Sequence, residues 1–322
     1  MPRKIPKIVK EIQKSPAPEI NYAYQKNISY SQMSIFRGCP HRWKLQYKDK
    51  IKRFSSSIHT VFGTAIHEAI QHYLDVMYEK SGAAADRLDI EEYFNDKFRT
   101  EYLKQYKANN NTHFSDASEM REFFEDGIGI LTWLKKKRSW FFSRKGWYLV
   151  GCEIPITIAP NKMLNNVLYT GFLDVVLYNE NSNTFKIIDI KSSTKGWNKF
   201  AKKDEDKQYQ LLLYKQFFSE QYNVPLENID IEFFILKRKV LDWEDENIMS
   251  PHQAYRVQTF TPPSGKIKLN RAKTAINNFI NECFNSSGKI KEREYPATPS
   301  KWTCTFCPYK EEQELCGEGI IY

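Results

Sequence analysis

Apolar and polar positions change their period along this chain. Over residues 62–77, apolar side chains recur at Phe62, Ile66, Ala69, Ile70, Tyr73 and Met77, the spacing of a buried helix face. Further helices are predicted over 31–47, with Ser31 as its cap, and over 89–107 and 116–137. The last is acidic early and basic late, as the helix dipole favours, although Gly127 and Gly129 weaken it. From Gly146 the pattern alternates, predicting strands over 147–158, 167–178 and 185–191. A helix over 204–222 follows, then strands over 229–239 and 254–260 with a polar loop between them, and a helix over 267–284. The expected fold is α/β: a helical N-terminal part, then a mixed sheet flanked by helices, then a cysteine-rich C-terminal tail. The parts are a flexible basic arm (1–28), the helical part (29–145), a core (146–295) and the tail (296–322), interlocked as one domain.

Two of the strands carry the candidate chemistry. Gly171-Phe172-Leu173-Asp174 lies in one and Asp189-Ile190-Lys191 in the next, joined by the polar turn Asn179-Glu180-Asn181-Ser182-Asn183. With the turn centred between Asn181 and Ser182, Asp174 falls opposite Asp189 in an antiparallel hairpin. Lys191, two residues on, shares the face of Asp189, while Ile188 and Ile190 point the other way into a core. Facing carboxylates repel, and a bound divalent cation removes that penalty. With a turn near Met163-Leu164, Glu153 on the preceding strand would face Asp174; a one-residue slip would turn it away. Carboxylates that hold Mg²⁺ or Mn²⁺ beside a lysine suit phosphodiester hydrolysis: the cation neutralises charge, and the lysine orients water.

Composition adds a partner. Lysine and arginine number 48 against 39 acidic residues, a net charge of +9 that favours a polyanion. Lys135, Lys136, Lys137 and Arg138, with Arg144 and Lys145, flank Ser139-Trp140-Phe141-Phe142. Lys195, Trp197, Lys199, Lys202 and Lys203 follow the lysine strand. Basic residues interleaved with aromatics suit a single nucleic-acid strand, bound without sequence preference and sensitively to salt. No apolar run is long enough to span a membrane, and the basic N-terminal stretch has no apolar h-region. A cytoplasmic, reducing location is expected, where six cysteines are poor disulfide candidates. Cys304 and Cys307 form a C-x2-C with Cys316 close behind, a spacing suited to a metal; isolated Cys152 and Cys283 read as apolar packing.

Together, GFLD and DIK resemble the PD-(D/E)xK nuclease superfamily, and within it the RecB-like exonuclease branch, similar to phage-encoded and CRISPR-adaptation nucleases. Gly63-Thr64-Ala65-Ile66-His67 resembles the branch's GxxxH helix, Gln210-Leu211-Leu212-Leu213-Tyr214 its QxxxY helix, and 34–47, with Cys39-Pro40, its N-terminal segment. The resemblance runs from about Ser31 to Cys316 and leaves 78–145 without a family motif. It implies a restriction-endonuclease-like sheet, with His67 as a metal ligand beside Asp174 and Asp189, and Gln210 and Tyr214 flanking the site. It also implies that Cys39 joins Cys304, Cys307 and Cys316 around a [4Fe–4S] cluster; a zinc ion fits the same four thiolates. The gap from Cys307 to Cys316 is longer than the common pattern.

The implied activity is a metal-dependent DNA exonuclease in recombination, repair or processing. No GxxxxGK[ST] motif is present, so single-stranded or frayed ends are the expected substrate, with a separate helicase or recombination protein as partner. The alternatives are a non-catalytic DNA-end-binding or assembly protein on the same fold, and a structure-specific endonuclease.

Overall fold

A computed structural model describes residues 3–15, 18–54, 56–242 and 250–320. The helices are α1 (Lys7–Lys14), α2 (Tyr30–Gly38), α3 (Pro40–Trp43), α4 (Ile58–Glu79), α5 (Gly82–Asp86), α6 (Ile90–Ala108), α7 (Ala117–Lys137), α8 (Lys199–Lys203), α9 (Glu205–Tyr222), α10 (Lys266–Cys283) and α11 (Lys301–Thr305). The strands are β1 (Lys26–Ile28), β2 (Trp147–Ile158), β3 (Val167–Asn179), β4 (Thr184–Ser193), β5 (Ile229–Lys237) and β6 (Val257–Phe260). They form a six-stranded mixed sheet in the order β1-β3-β4-β5-β6, with β2 also paired to β3. Contacts divide the chain into two compact units, Met1–Pro16, Ser56–Ile154 and Phe172–Pro263 in one, and Ala17–Ser55, Pro155–Gly171 and Ser264–Tyr322 in the other. The chain passes between them several times, so the units are not consecutive stretches of sequence.

In the first unit the β3–β4 hairpin has the expected register. Val175 pairs with Ile188 and Tyr178 with Phe185, and Asn179 pairs with Thr184 to close the turn. Asn179 Oδ1 accepts the Asn181 amide at 2.9 Å, and Asn183 takes the left-handed backbone that asparagine tolerates. Strand β4 then runs parallel to β5, from Phe185 opposite Ile229 to Ser193 opposite Lys237, with α9 in the crossover. One sheet face buries Val175, Ile188, Ile190 and Phe234 with Phe62, Ile66 and Ile70 of α4, each burial contributing roughly 1.5–3 kcal/mol. Gly127 of α7 answers a packing need, since a Cβ there would collide with the Phe94 ring of α6.

In the second unit β1 runs parallel to the start of β3, with Ile28 opposite Tyr169. Trp43 is fully buried, with ring centroids 5.6 Å from Phe279 and 5.5 Å from Tyr295. The helix expected over 31–47 is broken in two and capped by Ser29, not Ser31. The break falls at Cys39, whose backbone is extended (φ −157°, ψ 104°) because Pro40 clashes with a helical predecessor. Residues 3–15, expected as a loose arm, contain α1, whose Val9 and Ile12 are buried; residues 1, 2, 16 and 17 of that arm lie outside the described residues, as do 243–249 of the polar loop. Among the described residues no helix is long and apolar enough to cross a membrane.

Candidate active site and cysteine cavity

Beyond the Val175–Ile188 pair, at the end of the β3–β4 ladder away from the turn, side chains take over. Asp174 Oδ2 accepts the Ile190 amide at 2.7 Å, so a carboxylate replaces the backbone partner of that strand position. Asp189 is 1 % exposed. Lys191 Nζ lies 2.7 Å from its Oδ2, yet neither Asp189 oxygen accepts a well-aligned hydrogen bond. From α4, His67 Nδ1 stands 3.7 Å from Asp174 Oδ2.

Burial shapes the charges of this cluster. It raises Asp174 and Asp189 to about 6, against the partial relief that Lys191 provides. It lowers His67 to about 4, helped by the Lys191 charge, so the imidazole is neutral at pH 7 and can donate a lone pair. Burial would neutralise Lys191, but Asp189 and Asp174 more than offset it and raise its pKa.

Glu153 reaches the same cluster by an irregular route. Its backbone is left-handed (φ 52°) within β2, a conformation costly for a residue with a side chain. Gln71 of α4 holds it: one Nε2 donates to Glu153 Oε1 at 2.6 Å and to the Asp174 carbonyl at 3.0 Å. Gln71 is 7 % exposed, and the sequence reading passed over it. Its position four residues after His67, on the same helix face, is the signal that could have found it. On α9, Gln210 Nε2 donates to the Tyr214 hydroxyl at 3.2 Å, and burial together with the Asp189 charge raises that hydroxyl's pKa.

Several expected nucleic-acid contacts are engaged internally. Arg138 Nη1 lies 2.5 Å from Asp86 Oδ1, and Lys135 Nζ donates to the Leu88 carbonyl at 3.3 Å. Lys137 Nζ sits 4.4 Å from the Trp140 ring centre, while Lys136, Lys195, Lys199 and Lys203 are exposed. Lys202 Nζ stands 5.8 Å from the Phe260 ring centre.

In the second unit, Cys39, Cys304, Cys307 and Cys316 line one small cavity of about 20 Å³. Cys39 lies at the α2–α3 break, and Cys304 on α11, capped by Ser300. The Cys307 amide donates to the Cys304 carbonyl at 3.0 Å. All four cysteines are free thiols. Burial raises the Cys316 pKa, and Cys307, Cys39 and Cys304 add to the rise. The tail is also fastened without a metal, by His41 Nε2 on the Leu315 carbonyl at 2.7 Å and by Arg53 on both Glu312 oxygens at 2.6 Å. Among the described residues, no three His, Cys, Asp or Glu side chains are already drawn into a coordination cage. The donor types nonetheless suit metals: Asp189, buried with no aligned donor, beside Asp174 and a neutral imidazole suits a hard cation, and four cysteines lining one cavity would suit a softer one.

The family model of the PD-(D/E)XK nuclease superfamily matches residues 27–312. The chain belongs to that superfamily. PD-(D/E)XK nucleases generally use divalent cations such as Mg²⁺ or Mn²⁺, and the mixed sheet flanked by helices accords with their restriction-endonuclease-like fold. Among solved structures, SSO0001 is similar at 12% identity and a TM-score of 0.39, over 98% of this chain and 96% of its own. A "Putative exonuclease" from Eubacterium rectale is similar at 12% identity and a TM-score of 0.43, over 82% of this chain and 84% of its own. No curated protein is significantly similar in sequence.

Proposed function

We propose that this PD-(D/E)XK chain is a metal-dependent DNA exonuclease of the RecB-like type, acting on single-stranded or frayed ends. The observation that carries the reading is Asp189, almost wholly buried, beside Asp174 and Lys191 with no aligned donor for either oxygen. Asp174, Asp189 and His67 would hold a Mg²⁺ or Mn²⁺ ion, with Glu153 turned toward them by Gln71. Such an ion supplies charge neutralisation at the phosphate and a more acidic water. Lys191 donates hydrogen bonds to the attacking water and to the charged phosphate oxygens. Gln210 and Tyr214 flank the carboxylates and orient the scissile group. The exposed lysines would contact phosphates, so DNA binding should weaken steeply with salt.

The four cysteines around their cavity are proposed to carry a [4Fe–4S] cluster, with zinc as the alternative. A brown chromophore and iron in the purified protein are expected; a colourless protein with stoichiometric zinc would replace the cluster with zinc. The nuclease reading is tested with end-labelled linear DNA beside closed circular single-stranded DNA. Loss of the linear substrate alone is the expected result. Cutting of the circle would make the chain an endonuclease, and metal-dependent cutting of neither would favour a DNA-end-binding protein.

A further inference from the structure

Aromatic rings and lysines that stand apart from the carboxylate cluster meet along the outer edge of β6. Strand β6 ends the sheet, and a groove of about 580 Å³ is lined there by Trp140, Tyr255, His252, Lys202, Lys237 and Gln258. Phe141 and Phe142 pack against the core ring of Phe234, with centroids 5.3 Å and 5.4 Å away, so they anchor the platform. Trp140 is left 51 % exposed. Its ring lies 5.3 Å from Tyr255, and Tyr255 lies 5.1 Å from His252, which gives a row of three rings. Lysines border the row: Lys137 stands over Trp140, Lys202 reaches in from α8, and Lys237 is fixed by its 2.7 Å bond to the His252 carbonyl.

The sheet register relates this groove to the candidate active site. Lys191 is opposite Ile235, and Ile235 is opposite Gln258. Two strand spacings, roughly 10 Å, separate the lysine of the carboxylate cluster from the groove wall. A chain of nucleotides seated here would have its neighbouring phosphates within reach of Lys191.

We infer that the β6-edge groove binds a single nucleic-acid strand, with bases stacked on Trp140 and Tyr255 and phosphates on Lys202; Lys237, buried and bonded to the His252 carbonyl, holds the backbone of the row. Rings offer a face to any base, so this contact takes unpaired nucleotides and excludes the stacked interior of a duplex. The inference rests on the single-stranded nucleic-acid substrate proposed above and adds the groove and the residues that select it.

The test uses the full chain, without added divalent cation, and a fluorescent oligothymidylate with a matched duplex as the second probe. Trp140→Ala and Tyr255→Ala should each weaken oligothymidylate binding by at least about fivefold, and Trp140→Phe should restore it. Duplex binding should change little, and so should metal-dependent hydrolysis of bis-p-nitrophenyl phosphate, which is too small to reach from the cluster to the groove. Unchanged oligothymidylate binding in both alanine variants would overturn the groove, as would an equal loss on the duplex. If the variants lose strand binding while the wild-type chain cleaves nothing, the nuclease reading fails and the groove stands. If the wild-type chain cleaves and the variants bind normally, the groove alone fails.

Discussion

The carboxylate cluster and the cysteine cavity are both candidate metal sites, and they are built on opposite principles. The first concentrates unfavourable chemistry. Asp189 is buried without aligned donors, Asp174 is held near pKa 6 by burial, and Glu153 needs a left-handed backbone. The second holds its thiol-bearing segments by local contacts, a capped α11 and the paired Arg53 and Glu312, although Arg42 Nε and Trp43 Nε1 are also buried there without partners. Backbone strain and buried carboxylates gather at the candidate active site, whereas the cysteine site has fastenings of the tail that do not depend on a metal.

That contrast breaks most sharply at Lys191. Lys191→Ala should lower the cleavage rate by about 10²–10³-fold and leave the metal content of the cysteine site unchanged. Steady-state kinetics with metal analysis of the same sample would check both halves; a loss under tenfold would remove the lysine from the reaction. Gln71→Ala should cost about 10–100-fold, because Glu153 and the Asp174 strand lose the amide that positions them. A cation titration should show weaker Mn²⁺ affinity, and an unchanged affinity and rate would make Gln71 a packing residue.

Cys304→Ala sharpens the comparison from the other side. It should abolish the chromophore and lower Tm by roughly 10 °C, while cleavage per folded molecule stays within about threefold of wild type. The smallest effect is on pH. In the metal-free chain, burial holds both aspartates at about 6, above the ordinary 3.8. The folded state therefore holds more protons between these values, and stability is lost as pH rises through 6. Added Mg²⁺ should raise Tm by several degrees at pH 8 and by much less at pH 5; equal rises would contradict the buried-carboxylate account.

What was legible in the sequence follows the range of the forces involved. The β3–β4 register could be read because a polar turn and alternating strands set it locally, and Asp174 and Asp189 follow from it. The Cys39-Pro40 pair was visible, but its consequence, a helix broken at the cysteine, came from the clash that proline imposes on its predecessor. Gln71 was marked only by its place four residues after His67, and the Glu153 backbone by nothing, because their bond depends on one helix meeting one strand. Arg138 looked free in a basic run and is bound to Asp86, a partner 52 residues away. The β6-edge groove combines residues from four segments, and no linear pattern announces it.

The central claim is that Asp189 holds a cation for phosphodiester hydrolysis. It is tested most directly by Mn²⁺ titration of wild type and Asp189→Ala, followed calorimetrically and by cleavage of end-labelled linear DNA in the same samples. The account predicts that the variant loses both Mn²⁺ binding and cleavage while keeping DNA binding and the cysteine-site chromophore. Cleavage retained by Asp189→Ala would contradict it.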